Sequence, residues 1–285
     1  MSEFVTLVEM SPRDGLQNEK NLIATDEKIK LIDLLSECGF SKIETTSFVS
    51  AKWVPQLADA LEVMAGISRH EKVIYSVLTP NLRGFDAAVE AQADEVAIFT
   101  SASEGFCQKN INCSIAESID RFAPIMDAAT SRSIPVRGYV SCVTDCPYDG
   151  ATSPSKVAEV SQALIDMGCF EVSLGDTVGT GTPERVSDML NAVLERVPAS
   201  KLAGHFHDTS NTALDNITVS LEAGLRVFDA SVGGLGGCPY APGAKGNVAT
   251  ENVIELLHQA GYATGLDLDR VNDVAHFART LSAAS

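Results

Sequence analysis

Eight short runs rich in β-forming residues alternate with amphipathic helical patterns along the whole chain. Strict alternation of this kind predicts a parallel sheet that is covered by helices. Eight units fit a closed barrel better than an open doubly wound sheet, which usually has fewer strands. We therefore predict an α/β fold of the (β/α)8 TIM-barrel class. The predicted strands are 5–10, 42–49, 72–79, 95–102, 135–142, 170–177, 202–209 and 227–234.

The length and composition predict a single domain over residues 1–285. The chain has 285 residues, and barrels of this class use about 250 residues for one domain. No long linker, charged block or low-complexity stretch divides it. Thr25 is predicted as the N-cap of the first helix, because Asp26 and Glu27 suit the first turn after it. A last helix at about 270–284 is predicted to pack on the outside.

Charge and cysteine content exclude several classes of function. The formal net charge is −17, and such a field repels nucleic acid. The seven cysteines are odd in number and include no CxxC spacing, which indicates reduced thiols rather than a disulfide framework. No signal peptide precedes the first strand, and no apolar stretch approaches the ~18 residues that a membrane span needs. We therefore predict a cytoplasmic protein that binds neither nucleic acid nor a membrane.

The strongest functional signal is a His-x-His pair on the seventh predicted strand. His205 and His207 project from the same face, because side chains alternate along a strand. Active sites of these barrels lie at the C-terminal ends of the strands, where two imidazoles form half of a divalent metal site. The alternative is a pair of structural histidines with satisfied hydrogen bonds. Because this pair holds two of only five histidines, we favour metal ligation.

A charged segment directly follows the first predicted strand. Asp14 is a hard oxygen ligand, and Arg13 is a permanent cation that can hold a developing oxyanion. A solvated Asp-Gly turn explains these residues equally well when they are taken alone. Glu44 lies in the second predicted strand, where a buried carboxylate needs a partner, and Arg13 is the obvious one.

Further polar residues occur on the fifth and sixth predicted strands. Arg137 and Tyr139 share a face of the fifth strand, and Asp176 ends the sixth. Each could belong to a structural ion pair. Several strands that end in polar side chains on one rim fit a binding site better.

A glycine-rich segment, GGLGGCPYAPGAKGN at 233–247, follows the eighth predicted strand. Its spacing is not a dinucleotide fingerprint, and so many glycines predict a mobile loop that closes over a ligand. Cys238 could deliver or take a proton there, or it could be an ordinary loop thiol. Asn247, where the next helix begins, could offer a carbonyl oxygen to a metal.

With these residues assembled, the chain resembles the 3-hydroxy-3-methylglutaryl-CoA lyase family of metal-dependent barrels. The likeness runs through nearly the whole chain, and its motifs are too long and numerous for a chance match. They are PRDGLQNE at 12–19, IETTSFV at 43–49, KWVP at 52–55, LTPNL at 78–82, KNINC at 109–113, VRGYVSC at 136–142, SLGDT at 173–177 and LGGCPY at 235–240.

The resemblance implies roles for individual residues. A divalent cation, Mg²⁺ or Mn²⁺, is expected on Asp14, His205, His207 and Asn247. Arg13 is expected at the enolate oxygen with Glu44 orienting it, and Cys238 is expected to be the acid. Asp176 is expected to support the site, and Lys20 is expected near the CoA phosphates. The full set of predicted substrate or CoA-binding residues is Arg13, Gln17, Lys20, Ser47, Arg137 and Tyr139.

The activity that the resemblance implies is carbon–carbon cleavage of an acyl-CoA, of the kind used in leucine degradation and ketone-body metabolism. Products would be acetyl-CoA and acetoacetate, and either Asp14 or His205 would be the base. A Claisen-type synthase acting on an acyl-CoA and a 2-oxo acid, a lyase for a related 3-hydroxy-acyl-CoA, a thiol-dependent hydrolase and a non-catalytic metal-binding barrel remain alternatives. A homo-oligomer, dimer or tetramer, is predicted.

Overall fold

The computed structural model describes residues 2–236 and 246–283. The barrel strands are β1 (Thr6–Glu9), β2 (Lys42–Ser47), β3 (Ile74–Leu78), β4 (Glu95–Ser101), β5 (Val136–Ser141), β6 (Glu171–Asp176), β7 (Leu202–Phe206) and β8 (Val227–Ala230). They form a closed barrel in which each strand lies beside its neighbours in sequence and β1 lies beside β8. The pairings β1–β2, β2–β3, β4–β5, β5–β6 and β6–β7 are parallel. The predicted (β/α)8 class is therefore confirmed.

Helices alternate with these strands in the described part of the chain. They are α1 (Thr25–Ser36), α2 (Ala60–Gly66), α3 (Leu82–Glu90), α4 (Glu104–Ile111), α5 (Ile115–Arg132), α6 (Pro154–Met167), α7 (Pro183–Leu194), α8 (Ala213–Glu222), α9 (Thr250–Gln259) and α10 (Leu268–Ala283). The last of these corresponds to the predicted terminal helix. None of the helices in the described residues is both long enough and apolar enough to span a bilayer.

The described residues form two compact units, residues 2–95 with 229–236 and 246–283, and residues Val96–Phe228. A single domain over residues 1–285 stays a prediction. In the first unit β1 pairs with β2 and β2 with β3, and all six residues of β2 are buried. Strands of a parallel barrel are covered on both faces, which explains this continuous burial. Here α10 contacts α1 and α9.

The start of α1 differs from its prediction. The N-cap is Ala24, and Thr25 is already the first helical residue. The Thr25 hydroxyl donates to the Asp59 carboxylate at 2.8 Å, so it does not cap its own helix. The prediction of Thr25 as N-cap was wrong, because a partner 34 positions away in sequence competes successfully for the hydroxyl.

In the second unit β5 pairs with β6 and β6 with β7, in regular parallel register. Two features here had no counterpart in the predictions. A short antiparallel hairpin, Asp145–Cys146 with Gly150–Ala151, follows β5, and two helices rather than one connect β4 to β5. Strands of two residues are too short to leave an alternating pattern, which explains why the hairpin was missed.

Candidate active site

The residues after β1 form a single π-helical turn, Ser11–Gly15. Pro12 stands at its first positions, where the missing N–H costs no hydrogen bond. The backbone N–H of Gly15 closes the turn by donating to the carbonyl of Met10 at 3.1 Å. This local geometry buries Arg13, whose exposed fraction is only 6%. The turn is therefore not the solvated loop that composition alone allowed.

Two carboxylates hold the Arg13 guanidinium in the first unit. Its Nε donates to Oε1 of Glu44, and its Nη1 donates to Oδ1 of Asp14 at 2.5 Å. Glu44 is buried within β2. The predicted pairing of Arg13 with Glu44 is confirmed. A buried charge that is paired and hydrogen-bonded keeps one orientation, so the guanidinium is fixed before any ligand arrives.

Asn247 and Asp14 meet although they lie at opposite ends of the chain. Nδ2 of Asn247 donates to Oδ2 of Asp14 at 2.8 Å and to the carbonyl of Leu235 at 3.1 Å. Gln17 Nε2 adds a donor to Asp14 Oδ1 at 3.2 Å. Since both amide hydrogens of Asn247 serve protein acceptors, its carbonyl oxygen is the atom that it can offer to a cation.

Gly236 allows this contact to form. Its φ is +108°, a left-handed value that favours glycine. A Cβ at this position would lie 2.5 Å from Nδ2 of Asn247 and 3.1 Å from the carbonyl oxygen of Asp14. The glycine therefore makes room for the Asn247–Asp14 contact.

The second unit contributes the two histidines. His205 lies on β7, and His207 follows two residues later. Both are buried, and their ring centroids lie 5.4 Å apart. The Tyr139 ring meets His205 edge-on, with centroids 6.4 Å apart. The prediction that the two imidazoles share a face is confirmed.

Asp176 ends β6 and is fully buried. Its carboxylate accepts from the Thr144 hydroxyl at 2.8 Å, from the Gly181 N–H at 2.9 Å and from the Gly179 N–H at 3.2 Å. Burial raises the pKa of Asp176, while these donors and the charge of His207 oppose the rise. Asp176 thus anchors the turn after β6 next to His207.

Asp14, His205 and His207 form the one group of three or more His, Cys, Asp or Glu side chains in residues 2–236 and 246–283 that could hold a metal ion. One candidate ligand atom from each lies within 4.8 Å of the others. Two imidazole nitrogens and a carboxylate oxygen are a donor set that suits first-row divalent cations. The residues present therefore fit a divalent metal.

The other predicted site residues have varied surroundings. Ser47 is buried at the end of β2, Lys20 is exposed, and Cys238 lies outside the described residues. Arg137 is buried, donating from Nε to Oε1 of Glu171 at 2.7 Å and from Nη1 to the Tyr139 hydroxyl at 2.9 Å. The substrate-binding roles of these residues stay predictions.

Sequence reasoning gave no role to Glu9 or Thr144. Thr144 lies just after β5 and donates to Asp176, a contact that no local pattern signals. Glu9 is the one charged residue of β1, stands at its end and is fully buried. That single acid inside a barrel strand was the signal that could have identified it, because a buried carboxylate needs partners.

Comparison with known proteins places these residues in context. The family described as HMGL-like matches residues 4–278. The chain is 58% identical to the mitochondrial hydroxymethylglutaryl-CoA lyase of Gallus gallus over 273 residues, which cover 96% of this chain and 92% of that protein. Relatives of similar identity are named cytoplasmic as well as mitochondrial.

Solved structures of HMG-CoA lyases are also similar to this chain. An HMG-CoA lyase from Brucella melitensis superimposes with a TM-score of 0.98 and 61% identity, covering 99% of this chain and 100% of that one. A more distant HMG-CoA lyase from Acinetobacter baumannii, solved with coenzyme A and 3-methylmalate, has a TM-score of 0.93 and 38% identity. It covers 98% of this chain and 92% of that one.

Proposed function

The chain belongs to the HMGL-like family, and from this premise we propose that it cleaves 3-hydroxy-3-methylglutaryl-CoA to acetyl-CoA and acetoacetate. The observation that carries the proposal is the Arg13 guanidinium, held by Glu44 and Asp14 beside the Asn247 amide. Such an arrangement presents a fixed positive charge next to a set of oxygen and nitrogen ligands. A fixed charge of this kind is suited to a reaction that develops an enolate.

We propose that a divalent cation, Mg²⁺ or Mn²⁺, is held by Asp14, His205, His207 and Asn247. Bound there, it would lower the pKa of the tertiary hydroxyl of the substrate and orient that group. The proximity of Asp14, His205 and His207 supports three of these ligands. The amide hydrogen bonds of Asn247, which leave its carbonyl oxygen to coordinate, support the fourth.

Bond cleavage starts with removal of the proton from the tertiary hydroxyl. We propose that Asp14 or His205 accepts this proton, since both belong to the proposed ligand set. A carboxylate such as Asp14 can coordinate a cation through one oxygen and accept a proton on the other. A neutral imidazole has one basic nitrogen, so His205 serves as the base only if that nitrogen does not coordinate the cation. The electron pair left on oxygen forms the ketone of acetoacetate, and the bond between C2 and C3 breaks.

The electrons of the broken bond pass to acetyl-CoA as its enolate. Arg13 stabilises the enolate oxygen, and Glu44 keeps the guanidinium in place for it. A proton on C2 then completes acetyl-CoA. We propose Cys238 as its donor, on the resemblance to the family alone, because this residue lies outside the described part of the chain.

A direct assay tests the proposal. Purified protein with Mg²⁺ or Mn²⁺ should convert 3-hydroxy-3-methylglutaryl-CoA to equal amounts of acetoacetate and acetyl-CoA, and a chelator should abolish the reaction. Free CoA without acetoacetate would instead indicate a hydrolase. Condensation of acetyl-CoA with a 2-oxo acid would indicate a synthase, and cation binding without turnover a non-catalytic barrel. Any of these three outcomes contradicts the lyase assignment.

Two further properties stay proposals. We propose a homo-oligomer, which light scattering of the purified protein would test by its mass against the 30.2 kDa of one chain. We also propose a cytoplasmic location, although relatives are named both mitochondrial and cytoplasmic. Fractionation of the cells that make the protein would decide between the compartments.

A further inference from the structure

Glu9, the last residue of β1, is buried completely and accepts three hydrogen bonds. Its Oε1 accepts from the N–H of Ser11 at 2.9 Å and from the N–H of Val232 at 3.0 Å. Its Oε2 accepts from the Thr250 hydroxyl at 2.8 Å. All three of these donors are neutral, so within residues 2–236 and 246–283 the carboxylate is satisfied by hydrogen bonds rather than by an ion pair.

The three donors stand at the start of three different segments. Ser11 begins the turn that carries Arg13 and Asp14. Val232 begins the turn Val232–Gly234 after β8. Thr250 is the first residue of α9, three positions after Asn247. One side chain therefore connects the segments that bear Arg13 and the proposed ligands Asp14 and Asn247.

Those segments also meet at the site itself. Asn247 bridges Asp14 and the carbonyl of Leu235, the residue directly after the turn that Val232 begins. The same three segments are thus joined twice, once by the hydrogen bonds of Glu9 and once by those of Asn247. A change in the separation between Ser11 and Thr250 would pull Asp14 away from Asn247.

Keeping a carboxylate here is energetically unfavourable. Burial raises the pKa of Glu9 to about 7, against the opposing effect of its hydrogen bonds. A buried acid without a cationic partner destabilises a fold unless its contacts achieve something that an apolar residue cannot. The Glu9 carboxylate accepts hydrogen bonds from three segments at once, which no apolar side chain can do.

We propose that Glu9 is a positioning residue that sets the distance between the Arg13–Asp14 turn and Asn247, and thereby the metal affinity of the site. This inference rests on the proposed function, since it concerns the same ligands. Glu9 acts through the backbone N–H groups of Ser11 and Val232 and through the hydroxyl of Thr250.

The test compares two substitutions of Glu9 by Mn²⁺ affinity and by turnover. Glu9→Met keeps the volume but removes every acceptor, and it should weaken Mn²⁺ binding about 10- to 100-fold and lower kcat. Glu9→Gln keeps an acceptor for the two N–H groups, and the Thr250 hydroxyl can reverse to accept from its amide. Its Mn²⁺ affinity should stay within about threefold of the parent, because Gln retains the acceptor geometry.

A matched control separates positioning from general stability. Glu95 is another buried carboxylate of the same unit, paired with Lys42 at 2.6 Å and remote from the Asn247 contacts in sequence. Glu95→Met should lower the melting temperature and leave the Mn²⁺ affinity of the folded protein unchanged. If Glu9→Met binds Mn²⁺ like the parent, or Glu9→Gln is as impaired as Glu9→Met, the proposal is overturned.

Two further measurements keep the inference testable. If Glu9→Met does not fold, Thr250→Val removes only the contact to α9 and should still weaken Mn²⁺ binding; an unchanged affinity would overturn the proposal.

If the parent binds Mn²⁺ but cleaves no substrate, the proposed function fails while the Mn²⁺ comparison still decides the role of Glu9. If the parent binds no Mn²⁺, amide exchange decides: Glu9→Met should speed exchange at Ser11 and Val232, and unchanged exchange would overturn the proposal.

Discussion

The side-chain amide of Asn247 donates to the carboxylate of Asp14 at 2.8 Å, across 233 positions of sequence. This contact aligns two of the four proposed metal ligands before a cation binds. It also leaves the carbonyl oxygen of Asn247 as the atom that can coordinate. The geometry of the site therefore depends on both ends of the chain.

Asn247→Ala should weaken Mn²⁺ binding by about 10- to 100-fold, because it removes a ligand and a donor that orients Asp14. Titration of the protein with Mn²⁺, in which electron paramagnetic resonance measures the unbound Mn²⁺, gives the change in affinity. Asn81→Ala is the matched control. It removes the side chain that caps α3 and should cost about 1 kcal/mol of stability with no effect on Mn²⁺ affinity. Equal Mn²⁺ affinities for Asn247→Ala and the parent would contradict the ligand assignment.

Arg13→Met should lower kcat by about 10²- to 10³-fold with little change in KM, because it removes charge stabilisation that acts mainly in the transition state. Glu44→Gln should have a smaller effect of the same kind, since it keeps an acceptor for the guanidinium. Steady-state kinetics of acetoacetate formation measures both. Arg69→Met, which removes a partly exposed pair with Asp94, is the control and should leave kcat unchanged. Nearly intact turnover in Arg13→Met would rule out the assigned role.

Gly236→Ala should disturb the site, because the added Cβ would lie 2.5 Å from Nδ2 of Asn247. Gly150 offers a control with similar backbone strain and no neighbour. Its φ is +77°, and a Cβ there would meet nothing within 4 Å. We expect both variants to lose about 1 kcal/mol of stability from backbone strain. Only Gly236→Ala should also lose Mn²⁺ affinity, and a similar loss in Gly150→Ala would contradict the steric argument.

The free energy of unfolding should depend on the Glu9 carboxyl between pH 4.5 and about 7. Burial raises its pKa from 4.5 to about 7, so the folded protein binds this proton more tightly than the unfolded chain. Stability from this group is therefore fully present below pH 4.5 and is lost as pH rises to about 7, by on the order of 3 kcal/mol. Urea unfolding of the parent and of Glu9→Gln across this range measures the effect. A pH-independent difference between the two proteins would contradict it.

Arg137→Met should lower the free energy of unfolding by about 3–5 kcal/mol, because it leaves the buried Glu171 carboxylate without its cation. Denaturant unfolding measures this loss. The KM of the folded variant for 3-hydroxy-3-methylglutaryl-CoA separately tests the predicted role in substrate binding. A fully stable Arg137→Met variant would contradict the importance of the ion pair.

The features that could be predicted from the sequence are those with a local period. Alternating strands and helices indicated the barrel, and the two-residue spacing of His205 and His207 placed both rings on one face. Glu44 could be paired with Arg13 because consecutive strands of a barrel are neighbours.

Features that depend on contacts between residues far apart in the sequence leave no periodic pattern from which they could be predicted. Two of the three donors to Glu9 lie 223 and 241 positions away, so only the fold brings them together. The hydroxyl of Thr25 failed as a cap because Asp59 attracts it, which no helix rule contains. The role of Gly236 likewise depends on the backbone meeting Asn247, and composition alone suggested only a mobile loop.

The position of β1 beside β8 has a consequence for the order of events during synthesis. Arg13 and Asp14 leave the ribosome early, but Val232, Asn247 and Thr250, which complete their surroundings, follow more than 200 residues later. A nascent chain therefore carries Arg13 and Asp14 for most of translation without the residues that complete the proposed cation site. We therefore expect the proposed site to assemble only when β8 pairs with β1.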